Sequence, residues 1–503
     1  MQDFISALGM ISEWQVLLAL FVGSVGGVII GAIPGIGPPV AIAIILPVTF
    51  SMDPLVGLTA MLGIYGSAMY GGALPAVLIN TPGTAVNALT TYDGYPMTKR
   101  GEARRAVTLA YSASFVGGCL GIVALIFLAP VLAAIAPMFG AREIFLTAFL
   151  GILLVIVVHR RQVLAAGMLA GFGIFLSTIG LDRATYSKRF TFDQSWLASG
   201  VDLIVVVLGL FAVSQAFLLL TQPNDSPKVT PLTGRMWSGL TGIFRHKRVA
   251  AVGSGFGVIM GIIPGAGEFT AQFLSYSYAQ KTSKTPEQFG DGSPEGLVAS
   301  EAANNAVPGA ALVPLLALGI PGEALTAMML SVFYVHGVVP GPKLFENNMD
   351  FVLALYLALL IMNVLVVVFL IFSTNSLLRI IRVPTRFLGL AILMLSFVGV
   401  YSLRNSVSDC IIAAGFGVFG LILRRLDLPI VPIILGMVLG GIMEPKLRVA
   451  MTRIDTPLDM FDRPVSAILV VLICAVLAAT VWSAFKRTPG GSPLNPQSSE
   501  KPT

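Results

Sequence analysis

Across 503 residues only 11% are charged, against about 25% in a soluble protein, while 56% are apolar and mean hydropathy is +0.87. So few charges cannot cover a water-exposed surface, which excludes a string of soluble domains and makes lipid the solvent for most of the chain. The net charge of +6 then reads as basic cytoplasmic loops, not as a footprint for nucleic acid.

The chain opens with MQDFISALGM, which has neither a basic region nor a small-residue cleavage site, so no removable signal peptide is expected. A helix needs about 20 apolar residues to cross the hydrocarbon layer. Stretches with few or no charges fall at 14–33, 54–80, 106–136, 143–158, 162–180, 202–220 and 249–263. They continue at 297–318, 321–340, 351–374, 387–403, 410–423, 428–443 and 464–485. This predicts an all-α polytopic membrane protein with about 11 to 14 membrane segments, some of them broken or re-entrant because they are short or carry Pro-Gly. A hydrophilic break at 221–248 divides the chain, and the end, TPGGSPLNPQSSEKPT, has nothing to bury.

The two parts resemble each other. GAIPGIG at 31–37 reads like GIIPGAG 230 residues later, NTPGTA at 80–85 like GIPGEA 239 later, and AGFGIF at 170–175 like AGFGVF 244 later. Internal repetition of this kind marks many secondary transporters. Basic residues follow the first NTPG motif (Lys99, Arg100, Arg104, Arg105) but precede the second PGAG motif (Arg245 to Arg248), so equivalent points face opposite sides and the repeats are inverted. The basic stretches 182–189 and 424–425 do not sort with this scheme. The expected organisation is a first repeat over 1–220, a basic cytoplasmic linker over 221–248, a second repeat over 249–463, a C-terminal helix over 464–487 and a disordered tail over 488–503.

Pro-Gly inside an apolar run frees backbone groups, which lipid tolerates only where the irregular backbone is buried or lines a wet cavity. The breaks are Pro34-Gly35-Ile36-Gly37, Pro82-Gly83, Pro264-Gly265-Ala266-Gly267 and Pro321-Gly322. Half-helices that start after them aim N-terminal N–H groups inward and make an anion site without a buried Lys or Arg, while freed carbonyls can hold a cation. Asn80, Thr81 and Thr84 flank one break, followed by Asn87, Thr90 and Thr91, and Asn304 and Asn305 precede another. Their oxygens and amides suit a carboxylate or a small cation. The candidate substrate-binding residues are therefore Gly35, Gly37, Asn80, Thr81, Gly83, Thr84, Gly265, Gly267, Asn304, Asn305 and Gly322. Carboxylates inside a membrane are costly, so Glu268, Glu301 and Glu323 are candidates for holding a coupling ion. Asp93, in TYDGYP, reads as a turn at a membrane edge.

Other chemistry has little support. Cys119, Cys410 and Cys474 sit in apolar runs and read as buried small hydrophobes, and His159, His246 and His336 lack ligand spacing, so no metal site is expected. No GxxxxGK[ST], HExxH or GxSxG occurs, and no enzyme is expected.

At GAIPGIGPPVAIAIILPVTF, the block from IYGSAMYGG to DGYPMTKRGEARRA, and the block from GIIPGAGEF through EAANNA to GIPGEA, the sequence resembles the large permease subunit of the tripartite tricarboxylate transporter family. RFTF at 189–192 and GLFAVSQ at 209–215 also fit, so the resemblance covers about residues 14 to 485. It implies a subunit of a bacterial inner-membrane, ion-gradient-driven importer of carboxylates. The implied partners are a small membrane subunit and a periplasmic solute-binding protein. It implies no cofactor beyond Na⁺ as a candidate coupling ion, and it maps the motif regions onto 31–39 with 80–87 and 264–268 with 301–305 and 321–323. Glu268 and Glu323 depart from the family pattern, which has small or hydroxyl residues there. The expected function is secondary active import of a di- or tricarboxylate coupled to Na⁺ or H⁺. The alternative is a gradient-independent channel or facilitator for small organic anions, and a non-transporting scaffold or sensor ranks last.

Overall fold

A computed structural model describes residues 1–34, 36–159, 162–182, 184–221, 232, 236–380, 385–452, 456, 459 and 461–485. Gly35, residues 222–231 and 233–235 of the expected linker, and the tail from 486 onward lie outside the described residues. The first part of the chain contains α1 (Gln2–Ser12), α2 (Trp14–Gly31), α3 (Gly37–Thr49), α4 (Pro54–Ile79), α5 (Thr90–Lys99), α6 (Ala103–Ile135), α7 (Ala141–Val158) and α8 (Val163–Ser177). A two-stranded antiparallel hairpin, β1 (Gly180–Leu181) and β2 (Lys188–Arg189), precedes α9 (Leu203–Val207) and α10 (Ser214–Thr221), which a π turn over Leu208–Val213 joins. Then come α11 (Met236–Leu240), α12 (Lys247–Ile262), α13 (Gly267–Thr282), α14 (Pro294–Leu318), α15 (Ala324–Val335) and α16 (Pro342–Asn347). The chain finishes with α17 (Met349–Ile380), α18 (Thr385–Arg404), α19 (Val407–Arg425), α20 (Val431–Met451) and α21 (Pro464–Phe485).

Among the described residues eight helices are long and apolar enough to cross a membrane, and four shorter apolar helices accompany them. The protein is thus an all-α polytopic membrane protein. Helix α14 is not one of the eight, because Glu301, Asn304 and Asn305 interrupt its apolar text. It is tolerated because it is wrapped by α4, α5, α6, α12 and α13 and buried from Gly296 to Ala317. Helix α4 is buried almost as completely. Both begin on proline behind a side-chain cap, Asp53 accepting from the Leu55 N–H (3.2 Å) and Ser293 from the Gly296 N–H (3.3 Å). Both end in a left-handed residue, Asn80 (φ 54°) and Gly319 (φ 69°), which returns the chain without spoiling the last turn.

Small residues let these central helices approach their neighbours closely. Gly23, Gly27 and Gly31 of α2 lie against Ala60, Ile64 and Ala68 of α4. At the positions 230 and 239 residues later, Gly253, Gly257 and Gly261 of α12 lie against Ala299, Ala303 and Val307 of α14. Around them α6 packs on α14 and α17 on α4, α8 on α20 and α19 on the π turn, α7 on α20 and α18 on α10. The short α11, within the hydrophilic break, packs on α6. The Thr108 hydroxyl donates to the Met236 carbonyl (3.1 Å) there. So that end of the expected linker is folded against the bundle.

The periphery differs from expectation at two points, the basic hairpin and the cysteines. The 182–189 stretch includes a hairpin held by ion pairs: Arg189 grips Glu444 (2.6 and 3.1 Å), and Arg448 bridges Asp182 (2.6 Å) and Glu444 (2.8 Å). The Ala184 N–H and the Arg448 guanidinium hold the Asp182 carboxyl well below the usual carboxylate range. Helix α21 docks on α7, through Ser466 donating to the buried Glu143 (2.6 Å) and an apolar cluster of Leu146, Leu469 and Ile473. Cys119 and Cys410 are half-buried and Cys474 is exposed on α21, so none is the fully buried hydrophobe that composition suggested.

The glycine stripes make a direct prediction. A Cβ on Gly257 would meet the Ala303 carbonyl oxygen at 2.3 Å, whereas one on Gly255 meets open space. Gly257→Ala should lower stability by roughly 1–3 kcal/mol through overpacking. Gly255→Ala should be neutral or stabilising by up to about 1 kcal/mol, since alanine is the better helix former. Thermal unfolding of both variants in lipid nanodiscs checks this, and equal melting temperatures would refute the close-packing account.

Candidate functional site

The helix breaks come together in pairs. In the second part of the chain, the Gly265 N–H donates to the Gly322 carbonyl (2.6 Å), tying the α12–α13 break to the α14–α15 break. Gly265 and Gly267 have φ of 83° and 62°, which suits glycine. In the first part, Gly83 is wedged so tightly that a Cβ would lie 2.1 Å from the Gly31 carbonyl oxygen and 2.7 Å from Gly72 Cα. Gly322 has the corresponding neighbours, Gly261 and Ala311, at looser distances of 3.2 and 3.7 Å. The half-helices do begin after the breaks, but their N-termini are unequal. Helix α3 starts Gly37-Pro38-Pro39, and two prolines remove two of the N–H donors an anion would use. Helix α13 carries Glu268 in its first turn, and α15 carries Glu323 as its N-cap, whose own N–H donates to Thr326 Oγ1 (3.0 Å).

Glu301, in the middle of α14, is fully buried and lies in a shell of donors. The Thr90 hydroxyl, Ser114 Oγ (2.8 Å), Asn87 Nδ2 (3.3 Å) and Asn305 Nδ2 (3.4 Å) all donate to its carboxyl oxygens. Thr84 extends the chain by donating to Asn87 Oδ1 (2.5 Å), and Asn87 Nδ2 also reaches the Met69 carbonyl of α4 (3.2 Å). Four donors satisfy an ionised carboxylate without a cation. The carboxyl of Glu301 thus fastens α5, α6 and the 84–87 turn to α14.

One turn away on α4 from Met69 lies the second cluster. The Tyr65 hydroxyl donates to Glu323 Oε1. Glu268 Oε1 has no partner. Gln272, four residues on along the same face of α13, is fully buried with both amide atoms unpartnered. It sits between Ala271, which packs on Ala303 and Val307, and Ser275, whose hydroxyl donates to the Ala299 carbonyl (2.8 Å). On α14 itself, Asn304 is unpartnered at both amide atoms and Asn305 at Oδ1. Unpaired buried amides are expensive, about 1–3 kcal/mol each, and a protein that keeps several side by side has a use for them.

Of the residues singled out from sequence, the structure brings together Thr84, Glu301 and Asn305 in one cluster, and Gly265, Gly267, Glu268, Gly322 and Glu323 around another, with Asn304 on the helix between. Asn80 and Thr81 instead form an exposed tip, Asn80 capping α4. Sequence reasoning missed Tyr65, Ser114 and Gln272. Only Gln272 had a signal, its spacing of four from Glu268. Asp93 is not an edge turn: it is buried in α5 and accepts from the N–H groups of Gly290 (2.9 Å), Gly292 (3.0 Å) and Ser293 (2.7 Å), clasping the entry to α14. An apolar furrow of about 560 Å³, lined by Phe21, Ile361 and Val368 on α2 and α17, is remote in character from these polar clusters.

The two carboxyl environments should respond differently to mutation. Glu301→Ala strands four buried donors and is expected to destabilise by about 3 kcal/mol or more. Glu323→Gln keeps the shape and an oxygen to accept from Tyr65, so a change of less than about 1 kcal/mol is expected. Thermal unfolding of both variants in the same detergent measures the difference, and a Glu323→Gln loss as large as that of Glu301→Ala would contradict this assignment.

Residues 17–435 match the Tripartite tricarboxylate transporter TctA family. An uncharacterized 52.8 kDa protein from the TAR-I ttuC' 3' region of Agrobacterium vitis is 34% identical over 485 residues, covering 95% of this chain and 97% of that relative. A second uncharacterized protein, from the TAR-II ttuC' 3' region of the same organism, is 32% identical over 225 residues, 44% of this chain and 93% of its own length. No solved structure matches the chain. The match over most of the length, on a multi-pass helical protein whose helix breaks meet around buried polar groups, shows that this chain belongs to the tripartite tricarboxylate transporter TctA family, a family of transport proteins and not of enzymes.

Proposed function

We propose that the chain is the large subunit of a secondary active importer that moves a di- or tricarboxylate across the bacterial inner membrane. A periplasmic binding protein delivers the solute, a small membrane subunit accompanies this one, and a Na⁺ or H⁺ gradient drives accumulation. The carrying observation is the set of unpartnered buried amide atoms on the helices that flank the joined breaks at Gly265 and Gly322: both of Gln272 on α13, both of Asn304 on α14, and the Oδ1 of Asn305. Such groups suit a solute rich in carboxylate and hydroxyl oxygens that binds and leaves.

In this reading the chain is two repeats of opposite orientation, and the solute path lies where they meet. Support comes from the corresponding contacts of α2 with α4 and α12 with α14, set at the same offsets as the sequence motifs. The two parts are packed unequally. Helix α3 is held by α18 and by the π turn at 208–213, whereas α13 leaves Phe269, Phe273 and Tyr278 exposed. Unequal packing of corresponding helices suits a carrier caught with one side closed, the two sides exchanging roles in alternating access.

The test is uptake of labelled citrate and smaller dicarboxylates into proteoliposomes holding the chain and its small partner, with and without binding protein, under imposed gradients. Accumulation above equilibrium that needs both binding protein and gradient is expected, and gradient-independent equilibration would make the protein a facilitator. Asn304→Ala removes an unpartnered amide, so it should leave the melting temperature unchanged or raised while cutting uptake at least about tenfold, the loss of one or more hydrogen bonds to a charged solute. Unaltered uptake by Asn304→Ala would move the solute path elsewhere.

A further inference from the structure

Four basic residues cluster where α5 leads into α6, and three of them are engaged. Lys99 Nζ lies 4.9 Å from the centroid of the Tyr95 ring. Arg100 Nη2 donates to the carbonyls of Asp291 (2.7 Å) and Gly292 (2.5 Å), and Arg105 pairs with Glu102. Arg104 is half-buried, yet among the described residues its guanidinium has no hydrogen bond or ion pair. A cation partly withdrawn from water costs free energy until an anion joins it.

Arg104 lines a cavity of about 210 Å³ between α6, α11 and α17, and the walls of that cavity are of two kinds. Val107, Met236 and Ile371 make one side apolar. On the other side the hydroxyls of Thr108 and Thr374 are committed to helix carbonyls. The free donors are therefore Arg104 and the exposed amide of Asn375, which also has no partner among the described residues. Trp237 and Phe372, next in sequence to Met236 and Ile371, are 70% and 83% exposed. Large aromatic side chains left bare in this way place the cavity mouth at the headgroup level of the bilayer. The same end of the bundle carries Arg245, Lys247 and Arg248, tied to it by the Thr108 hydroxyl on the Met236 carbonyl (3.1 Å) and by His246 beside Glu295 (3.9 Å). That concentration of Lys and Arg reads as the cytoplasmic end.

We propose that this cavity binds an anionic phospholipid of the cytoplasmic leaflet. Its phosphate rests on Arg104 and Asn375, its glycerol lies over Val107, Met236 and Ile371, and its acyl chains run on into the bilayer. A guanidinium offers a phosphate two parallel N–H donors, and basic pockets between membrane helices on the cytoplasmic side suit such headgroups. Helices α6, α11 and α17 come from the first part of the chain, the hydrophilic break and the second part, so one bound lipid ties together three separate stretches. A ligand that binds only the folded chain stabilises it by mass action, which makes the stability of this protein depend on the charge of its lipid. The site is independent of the solute and of the driving ion.

The test is native mass spectrometry of the full chain in a neutral detergent, titrated with phosphatidylglycerol or with phosphatidylcholine of the same acyl chains. One phosphatidylglycerol should bind at least about tenfold more tightly than phosphatidylcholine, with a matching rise in melting temperature. Arg104→Gln removes the cation under the phosphate, and Asn375→Asp, at an exposed position that folding tolerates, sets a carboxylate beside it. Each should weaken phosphatidylglycerol binding at least about tenfold and abolish the rise. Arg248→Gln, an exposed cation outside the cavity, should keep both. Equal binding of the two lipids, unchanged phosphatidylglycerol affinity in Asn375→Asp or in a folded Arg104→Gln, or an equal loss in Arg248→Gln overturns the proposal. Inorganic phosphate and glycerol 1-phosphate at the same concentrations should leave the melting temperature where it was. Either one reproducing the whole rise would make this a site for a soluble phosphate and overturn the lipid assignment.

Discussion

In the hydrocarbon of a membrane no water waits to satisfy a backbone or side-chain polar group, so every interruption of a helix must be answered from inside the protein. Most of this fold can be read as answers to that demand. The Gly265 N–H freed by one break is met by the Gly322 carbonyl freed by another. The ends of α4 and α14 turn back through left-handed Asn80 and Gly319. The turn leading into α14 has three N–H groups with no helical partner, and all three converge on the Asp93 carboxyl of α5. Because these answers come from distant parts of the chain, meeting them forces the two parts to interlock around α4 and α14.

Burying two helices completely requires close approach, and close approach requires small residues on their neighbours. That is the work of the Gly23-Gly27-Gly31 and Gly253-Gly257-Gly261 stripes, set against backbone atoms of α4 and α14. The corresponding packing is not matched by corresponding chemistry. Glu301, Asn304 and Asn305 stand on α14 where α4, 239 residues earlier, has Leu62, Tyr65 and Gly66. The polar groups are concentrated on one of the two helices, and Tyr65 reaches across to donate to Glu323.

The periphery shows why counting charges along the chain misleads. Arg189, in the basic 182–189 stretch, looks like a loop cation that ought to mark a cytoplasmic face, yet it is paired with Glu444 in a compact network that also joins Arg448 to Asp182, between the hairpin and α20. Charges neutralised by one another across 250 or more residues say little about sidedness. The same network anchors the hairpin, as Glu143 anchors α21 through Ser466.

The amino-acid sequence by itself determined that lipid is the solvent, where most helices lie and where they break, because hydropathy and Pro-Gly act locally through the backbone of each segment. It also singled out Glu268, Glu301 and Glu323 as acids too costly to be incidental. It did not distinguish among them, since what separates them is donor count: four for Glu301, drawn from α5, α6, α14 and the 84–87 turn, and a single tyrosine for the other two. It overlooked Ser114 and Tyr65, which lie in unbroken apolar text and acquire meaning only when α6 and α4 are laid beside α14 and α15. It mistook Asp93 for an edge turn, because the three N–H groups it holds lie about 200 residues further on. Partnership in a low-dielectric interior depends on distances across the bundle, and those distances are set by the packing of glycine stripes that no single segment contains.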